Sequence, residues 1–221
     1  MPVPILCTPF VVLSEIICLL ETEEIVAASF CSKKMKRFLK CYYQQRKPLE
    51  WNIYLKDYDS CGRVHIHKLD DEYHDAVLLA EHVSELDESE AKPIETNGYK
   101  RGFSSGLVSL YFEDRVMGTK MIVDYVTDLF NLDVYGLIID TNGIWAIDWI
   151  SRRQEKMLES FELVKNPKCN SSSDEALNYV LRDGDEWNGD YSIQRIDGVK
   201  AVIDLDIRHF VMTVLPPKEI I

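Results

Sequence analysis

Residues 8–20 decide how the first part of this chain folds, and they read Thr-Pro-Phe-Val-Val-Leu-Ser-Glu-Ile-Ile-Cys-Leu-Leu. Thr8 can cap a helix, and Pro9 suits its first position because its φ is already fixed near the helical value. Apolar residues then recur at the i, i+3, i+4, i+7 spacing of one helix face, at Leu13, Ile16, Ile17 and Leu20. The stretch therefore predicts a helix with an apolar face to bury.

Two more short helices are predicted directly after the first. Glu21 and Thr22 interrupt the first pattern, and Glu23 and Glu24 stand where a helix N-terminus favours anions. Ser32 can cap a third helix, which has an apolar face and a basic one. The basic residues are Lys33, Lys34, Lys36, Arg37 and Lys40. Three short, closely linked helices carry more apolar side chain than they can bury among themselves.

These helices resemble the F-box pattern. The positions that carry the likeness are Pro9, Leu13, Ile16, Leu20, Ile25, Ala28, Ser29, Cys31, Ser32 and Lys33. The wording of residues 9–13 and 29–34 resembles the F-box of the large nematode family that has a type-2 F-box-associated region. The resemblance covers about residues 4–41, and residues 128–135, 158–161 and 192–198 are also similar to that family. A long segment that usually stands between the second and third of these stretches is missing here, which implies a shortened target-binding region.

The resemblance implies a substrate-recruiting adaptor of an SCF (Skp1-cullin-F-box) E3 ubiquitin ligase, with no catalytic residues in this chain. Its N-terminal helices would bind a Skp1-like adaptor and, through it, a cullin, while the second domain would present a protein target. The residues expected to contact the adaptor are Pro9, Leu13, Ile16, Ile17, Leu20, Ser29, Cys31, Lys33 and Lys34. The alternative is a non-catalytic protein–protein interaction module outside any ubiquitin ligase, and co-purification with a Skp1-type adaptor would separate the two.

Charge and composition limit the other classes of function. The chain has 221 residues, 46% of them hydrophobic, so it can bury a sizeable core, and its net charge is −12. Nucleic acid is disfavoured as a partner because phosphate contacts need an extended basic surface. Residues 33–47 hold seven lysines and arginines and no acid. This stretch could face an acidic protein, or it could be a solvated helix face.

The spacing of the six cysteines and the interruptions in the apolar N-terminal stretch favour a reduced, intracellular protein, cytoplasmic or nuclear. No two cysteines form a CxxC pair, which argues against a disulfide framework or a zinc ribbon. Residues 3–20 are apolar enough to suggest a signal peptide or a membrane span. Pro4, Pro9 and Glu15 interrupt the stretch and no basic region precedes it, so no membrane contact is predicted.

Neither a cofactor nor a metal site is predicted. Cys61, His65 and His67 could share one strand face, but a fourth metal ligand is not evident. Residues 138–143 are similar to the Asp-Thr-Gly of aspartic proteases, but Asn142 interrupts the triplet and no second copy exists to form the dyad. The sequence contains no GxSxG, P-loop, GxGxxG or HExxH motif. We therefore expect a protein that is not an enzyme.

The predicted fold class is α+β, with the F-box at residues 1–47, a hairpin and acidic linker at 48–105, and a shortened α/β domain at 106–221. A helix is considered for residues 75–84, within a stretch of ten acidic residues and one lysine that otherwise suggests a solvated linker. Strands at 107–111, 133–140 and 160–164 alternate with helices at 116–130, 145–157 and 173–181. The 25-residue spacing of Ile138 and Leu163 suggests leucine-rich-repeat-like units, and a small α/β sandwich is the alternative that fits the same pattern. An antiparallel hairpin at 191–205 and a strand at 209–215 close the chain.

Overall fold

We analysed a computed structural model of the chain. It describes residues 8–45, 50–59, 61–68, 76–86, 94–96, 99–104, 107–156, 158–164, 186–188, 192–194, 200–205 and 209–215. The α-helices are α1 (Phe10–Cys18), α2 (Thr22–Cys31), α3 (Lys33–Gln45), α4 (Arg115–Phe130) and α5 (Trp145–Arg153). The strands are β1 (Trp51–Tyr58), β2 (Cys61–Lys68), β3 (Ala76–His82), β4 (Ile94–Thr96), β5 (Tyr99–Ser104), β6 (Leu107–Phe112), β7 (Val134–Ile139), β8 (Ser160–Val164), β9 (Glu186–Asn188), β10 (Ser192–Gln194), β11 (Lys200–Leu205) and β12 (His209–Leu215).

The predicted N-terminal helices are confirmed as α1, α2 and α3. Glu21 begins α2 through a capping box, in which Glu24 Oε2 accepts from the Glu21 backbone N–H at 2.9 Å and the Glu21 side chain accepts from the backbone N–H of Glu24. Ser32 Oγ accepts from the Met35 backbone N–H at 3.0 Å and so caps α3. Side chains thus satisfy the N-terminal amides of both helices.

The chain divides into two compact units, each made of two chain segments. Unit 1 comprises Met1–Trp51 and Arg63–Leu132, and unit 2 comprises Asn52–Gly62 and Asp133–Ile221. Both units therefore combine segments that are far apart in sequence. The boundaries of the three predicted domains, at 47/48 and 105/106, do not coincide with these cuts, and that division stays a prediction.

Unit 1 has helices packed on a mixed sheet with the strand order β4-β5-β6-β3-β2. β3 pairs parallel with β6. β5 pairs antiparallel with both β4 and β6. α2 and α4 both contact β3 and β6, and α3 contacts α2 and α4. The core includes Ile25, Val26, Leu39, Leu78 and Phe130. The first three helices are therefore part of a larger apolar core that α4 and the sheet complete.

An aromatic cluster joins the end of α3 to the end of α4. The Phe130 ring lies 5.1 Å from that of Tyr43 and 5.4 Å from that of Trp51, centroid to centroid, both edge to face. The Tyr43 and Trp51 centroids are 5.5 Å apart. Asn131 ends α4 in the left-handed region at φ 54°. These three rings anchor α3 to α4 without any contact between neighbours in sequence.

Unit 2 is a sheet with the order β1-β7-β8-β12-β11-β10-β9. β1, β7 and β8 are parallel, and α5 connects β7 to β8. β8, β12, β11, β10 and β9 pair antiparallel. Buried residues of the parallel part include Ile53, Leu55, Leu137 and Ile139. Burial alternates along β1 and β8, so one face of each strand packs on the core.

The helix considered for residues 75–84 is wrong, and so is the alternative of a solvated linker there. Ala76–His82 forms β3, which pairs parallel with β6, and Val83–Glu85 forms a single 3₁₀ turn. Val77, Leu78 and Ala80 are buried. Helix and strand cannot be distinguished in so short an apolar run from periodicity alone, and pairing with β6 decides the outcome.

The strands predicted at 107–111, 133–140 and 160–164 and the helices at 116–130 and 145–157 are present, with small shifts of their ends. The pairing of β7 with β8 places Ile138 opposite Glu162, and Ile139 opposite Leu163, so the repeat that relates the two strands is 24 residues. The predicted helix at 173–181 lies outside the described residues, as does the turn of the predicted C-terminal hairpin. The leucine-rich-repeat-like units and the hairpin stay predictions.

Gly143 should not tolerate a side chain. A Cβ at this position would lie 2.7 Å from the Asp57 backbone oxygen and 2.8 Å from Ile139 Cβ, and neither atom is the end of a flexible side chain. We expect Gly143→Ala to lower the free energy of unfolding by about 1–3 kcal/mol. The exposed neighbour Asn142 is the matched control, since Asn142→Ala should change it by less than about 0.5 kcal/mol. Chemical denaturation measures both, and equal values for the two variants would contradict the close packing.

Candidate functional site

Helix α1 carries a large uncovered apolar surface. Its exposed fractions are 61% at Phe10, 70% at Val11 and 48% at Val12, and Leu19, just after the helix, is 82% exposed. The other face is buried, with Leu13 and Ile17 at 4% and 3%. A helix that is apolar on all sides is normally covered on all sides. Among the described residues, only one side of α1 is covered by other parts of the chain. We call Phe10, Val11, Val12 and Leu19 the α1 outer face.

The position of α1 is set by α3. Tyr42 of α3 donates from its hydroxyl to the Ser14 backbone oxygen at 3.4 Å, and the same hydroxyl lies 3.1 Å from Cys18 Sγ. The rings of Phe10 and Phe38 meet edge to face with centroids 6.1 Å apart. The orientation of the α1 outer face therefore depends on where α3 lies.

The structure divides the nine residues predicted to contact the adaptor into three groups. Pro9, Cys31, Lys33 and Lys34 are exposed. Ile16 and Leu20 are half-buried. Leu13, Ile17 and Ser29 are buried within unit 1. The exposed residues can reach a partner directly, whereas the buried ones shape the helices from inside.

The residues of the α1 outer face were not among the predicted contact residues. Periodicity identifies the side of a helix with the most regular apolar pattern, and here that side faces the protein's own core. The signal for the outer face was the absence of a polar side, since Glu15 is the only charged residue of α1. An apolar helix with one covered side needs a second cover, and this argument could have found Val11, Val12 and Leu19.

The basic face of α3 is also divided. Lys40 donates to Asp128 of α4 in a short ion-paired hydrogen bond, and Lys36 Nζ lies 3.7 Å from the same carboxylate. Lys33, Lys34 and Arg37 are exposed and pair with no acid in the described part of the chain. Cations in the first turn of a helix lie at the positive end of its dipole, which disfavours them unless an anion is near. The unpaired charges thus lie at the start of α3.

The pKa values of Asp128 and Lys36 are both shifted, for different reasons. The hydrogen bond from Lys40, together with the charges of Lys40 and Lys36, lowers the pKa of Asp128 although its partial burial acts in the opposite direction. The pKa of Lys36 is lowered because its burial outweighs the attraction of Asp128. A carboxyl with a lowered pKa is stabilised in its charged form by the folded state.

Asp57 and Asp140 of unit 2 are buried, and their carboxylates hold the loop after β7 through hydrogen bonds. Asp140 Oδ1 accepts from the backbone N–H groups of Asn142 and Gly143 at 2.8 and 3.2 Å. Asp57 Oδ2 accepts from Trp145 Nε1 at 3.1 Å, and the Asp57 backbone oxygen accepts from the Asp140 N–H at 3.3 Å. The Asp-Thr-Asn-Gly stretch that is similar to a protease motif is therefore a capped turn after β7.

The described residues contain neither a metal-binding group nor a helix that could span a membrane. Within those ranges, no group of three or more His, Cys, Asp or Glu side chains could hold a metal ion. No helix among them is both long and apolar enough to cross a bilayer. Cys61 and His65 of β2, considered above as ligands, are both buried.

Residues 9–41 match the F-box domain. F-box domains generally bind Skp1 in SCF ubiquitin ligases, and proteins that contain them are typically non-catalytic adaptors. The match covers α1, α2 and most of α3, the part of the chain that carries the α1 outer face. No curated protein and no solved structure matches the chain. The predicted F-box is confirmed, and it implies a Skp1-type partner.

Removing the Asp128 carboxylate should weaken unit 1 only slightly and in a pH-dependent way. Asp128 is about half exposed, so we expect Asp128→Asn to lower the free energy of unfolding by about 0–1 kcal/mol at pH 7. Because the pKa of Asp128 is lowered in the folded state, its contribution is present above its unfolded pKa and is lost as the pH falls through the folded value. Urea denaturation of both proteins between pH 7 and about pH 3 measures the difference. A difference that grows on acidification would contradict this pairing.

Proposed function

We propose that this chain is a substrate-recruiting F-box protein of an SCF-type E3 ubiquitin ligase, acting in the cytoplasm or nucleus. In this proposal it binds a Skp1-like adaptor through α1 and the start of α3 and is joined through that adaptor to a cullin. The strand-rich remainder of the chain would present a protein target. The wording that resembles the nematode family with a type-2 F-box-associated region extends the proposal to that family, with a shortened target-binding region.

The α1 outer face is the observation that carries the proposal. The four large apolar side chains of this face lie within the residues that match the F-box. All four are exposed among the described residues. Burying one such side chain completely is worth about 1.5–3 kcal/mol. A partner that covers several of them gains enough to offset the loss of translational and rotational freedom on association.

Pro9, Cys31, Lys33 and Lys34 are the predicted contact residues that a partner could touch without any rearrangement. Ile16 and Leu20, being half-buried, would be covered at the edge of the interface. Leu13, Ile17 and Ser29 would act by holding the helices, because a partner cannot reach them in this packing. The exposed and buried groups call for different experiments.

Changing the α1 outer face should weaken adaptor binding and leave the fold intact. We expect Val11→Ser with Leu19→Ser to weaken binding to a purified Skp1-type adaptor at least tenfold, since both side chains lose apolar burial in the complex. Stability should change little, because both residues are exposed in the free chain. Calorimetric titration and a melting curve of each protein measure the two effects.

Two control variants sharpen this test. Met117→Ser changes an exposed apolar residue of α4 and should leave binding unchanged. Leu13→Ala truncates a core residue and should cost about 2–5 kcal/mol of stability, so it would reduce binding through loss of the fold. Binding that survives the α1 double change within a few-fold would rule out this surface. Failure of the unaltered chain to bind any Skp1-type adaptor would favour an interaction module outside the ligase.

The unpaired cations of α3 should steer association with an acidic partner. We expect the on-rate for the adaptor to fall several-fold between about 0.05 and 0.5 M salt, and the variant with Lys33, Lys34 and Arg37 all changed to Gln to lose most of that dependence. The control is Arg152→Gln with Asp148→Asn, which removes an exposed ion pair of α5 at constant net charge and should keep the slope. Stopped-flow kinetics measures the slopes. If the on-rates of the unaltered chain and the triple variant depend equally on salt, these residues form only a solvated helix face.

A further inference from the structure

Tyr125 of α4 contacts two of the F-box helices at once, although it lies more than 80 residues beyond the end of the F-box match. Its ring stacks on Phe30 with centroids 4.4 Å apart and an interplanar angle of 10°. Its hydroxyl lies 2.7 Å from Ser29 Oγ, which itself donates to the Val26 backbone oxygen. Lys36 Nζ is 3.8 Å from the centroid of the same ring. One side chain thus binds α2 through a stack and a hydrogen bond and α3 through a cation–π contact.

Asp128 continues this contact one turn further along α4. Its carboxylate accepts from Lys40 and attracts Lys36, so one residue of α4 is paired with two cations of α3. Lys36 is held from two directions, by the Tyr125 ring and by the Asp128 carboxylate. We call Tyr125 and Asp128 the α4 clamp.

The α4 clamp acts on the α1 outer face through α3. Tyr42 and Phe38 of α3 hold Ser14, Cys18 and Phe10 of α1, and the α4 clamp holds the same helix α3 from the other side. Any change in the place of α3 therefore moves the surface proposed to bind the adaptor. The contacts run in one connected series from α4 to α3 to α1.

We propose that Tyr125 and Asp128 are positioning residues for adaptor binding, which hold α2 and α3 in the one arrangement in which α1 presents its outer face. The inference rests on the proposed function for its consequence in binding. The adaptor-binding element is then the F-box together with α4, and neither clamp residue needs to touch the adaptor.

A loss of positioning has a distinct kinetic signature. If only a fraction of the molecules has α2 and α3 in place, the observed affinity falls by that fraction. The contacts made in the complex stay the same. The on-rate therefore falls while the off-rate changes little, which is the reverse of what loss of a direct contact does.

Hydrogen exchange on the full-length chain without any adaptor gives the first test. We expect Tyr125→Ala to raise the exchange rates of the α2 and α3 amides about tenfold, while β7 and β8 of unit 2 keep theirs. Tyr125→Phe keeps the ring that stacks on Phe30 and lies under Lys36, so its rates should stay within about threefold of the unaltered chain. Unchanged exchange in Tyr125→Ala would overturn the α4 clamp whatever the chain binds.

Surface plasmon resonance with an immobilised Skp1-type adaptor gives the second test. We expect Tyr125→Ala to lower the on-rate about tenfold with the off-rate unchanged, Tyr125→Phe to restore it, and Asp128→Asn to show a smaller fall in the same direction. Met117→Ala, a change on the same helix outside the clamp, should leave both rates as they are. A faster off-rate in Tyr125→Ala, or an equal loss in Met117→Ala, would overturn the positioning role. No binding by the unaltered chain would overturn the proposed function, and the exchange experiment would still decide whether the clamp exists.

Discussion

The cover of apolar surface on the first three helices is the constraint on which unit 1 depends. Among the described residues, α2 and α3 bury Ile25, Val26 and Leu39 only because α4 and strands β3 and β6 lie against them. Phe130 completes this cover at the far end of α4, where its ring meets Tyr43 and Trp51. Once these contacts are made, the large apolar side chains that stay exposed on the described part of the first three helices are those of the α1 outer face. The surface offered to a partner is therefore what the chain's own packing leaves over.

Much of the fold could be predicted because its elements carry strong local signals. Leu13, Ile16, Ile17 and Leu20 share one helix face, and β7 is an almost unbroken apolar run. The prediction for β3 was wrong because a short apolar run of Ala, Val and Leu has no period of its own. Its pairing with β6 involves residues about 30 positions away in the sequence. The local sequence predicts where helices and strands lie. Whether an ambiguous segment becomes a helix or a strand, and what it pairs with, depends on tertiary contacts.

The site was predictable only in part for the same reason. Periodicity correctly placed Leu13 and Ile17 on an apolar face, but it could not say that this face is buried by the chain itself. The run of cations in α3 was visible, yet its division was not, because Lys40 and Asp128 are 88 residues apart in sequence. The contact of Ser29 with Tyr125 spans 96 residues and leaves no trace in either segment alone. Exposure and pairing are properties of the assembled unit.

The F-box match ends at residue 41, but the structure that holds those helices does not. α3 runs on to Gln45, and its cover comes from α4, which begins at Arg115 after the five strands β2 to β6 of the same sheet. Contacts between such distant segments close long loops, so their entropic cost must be met before the helices gain their cover. The three helices can form early from local signals, but their mutual arrangement is fixed only when β3, β6 and α4 are in place. We therefore expect the final arrangement of the three helices to form only together with β3, β6 and α4, although the helices precede them in the sequence.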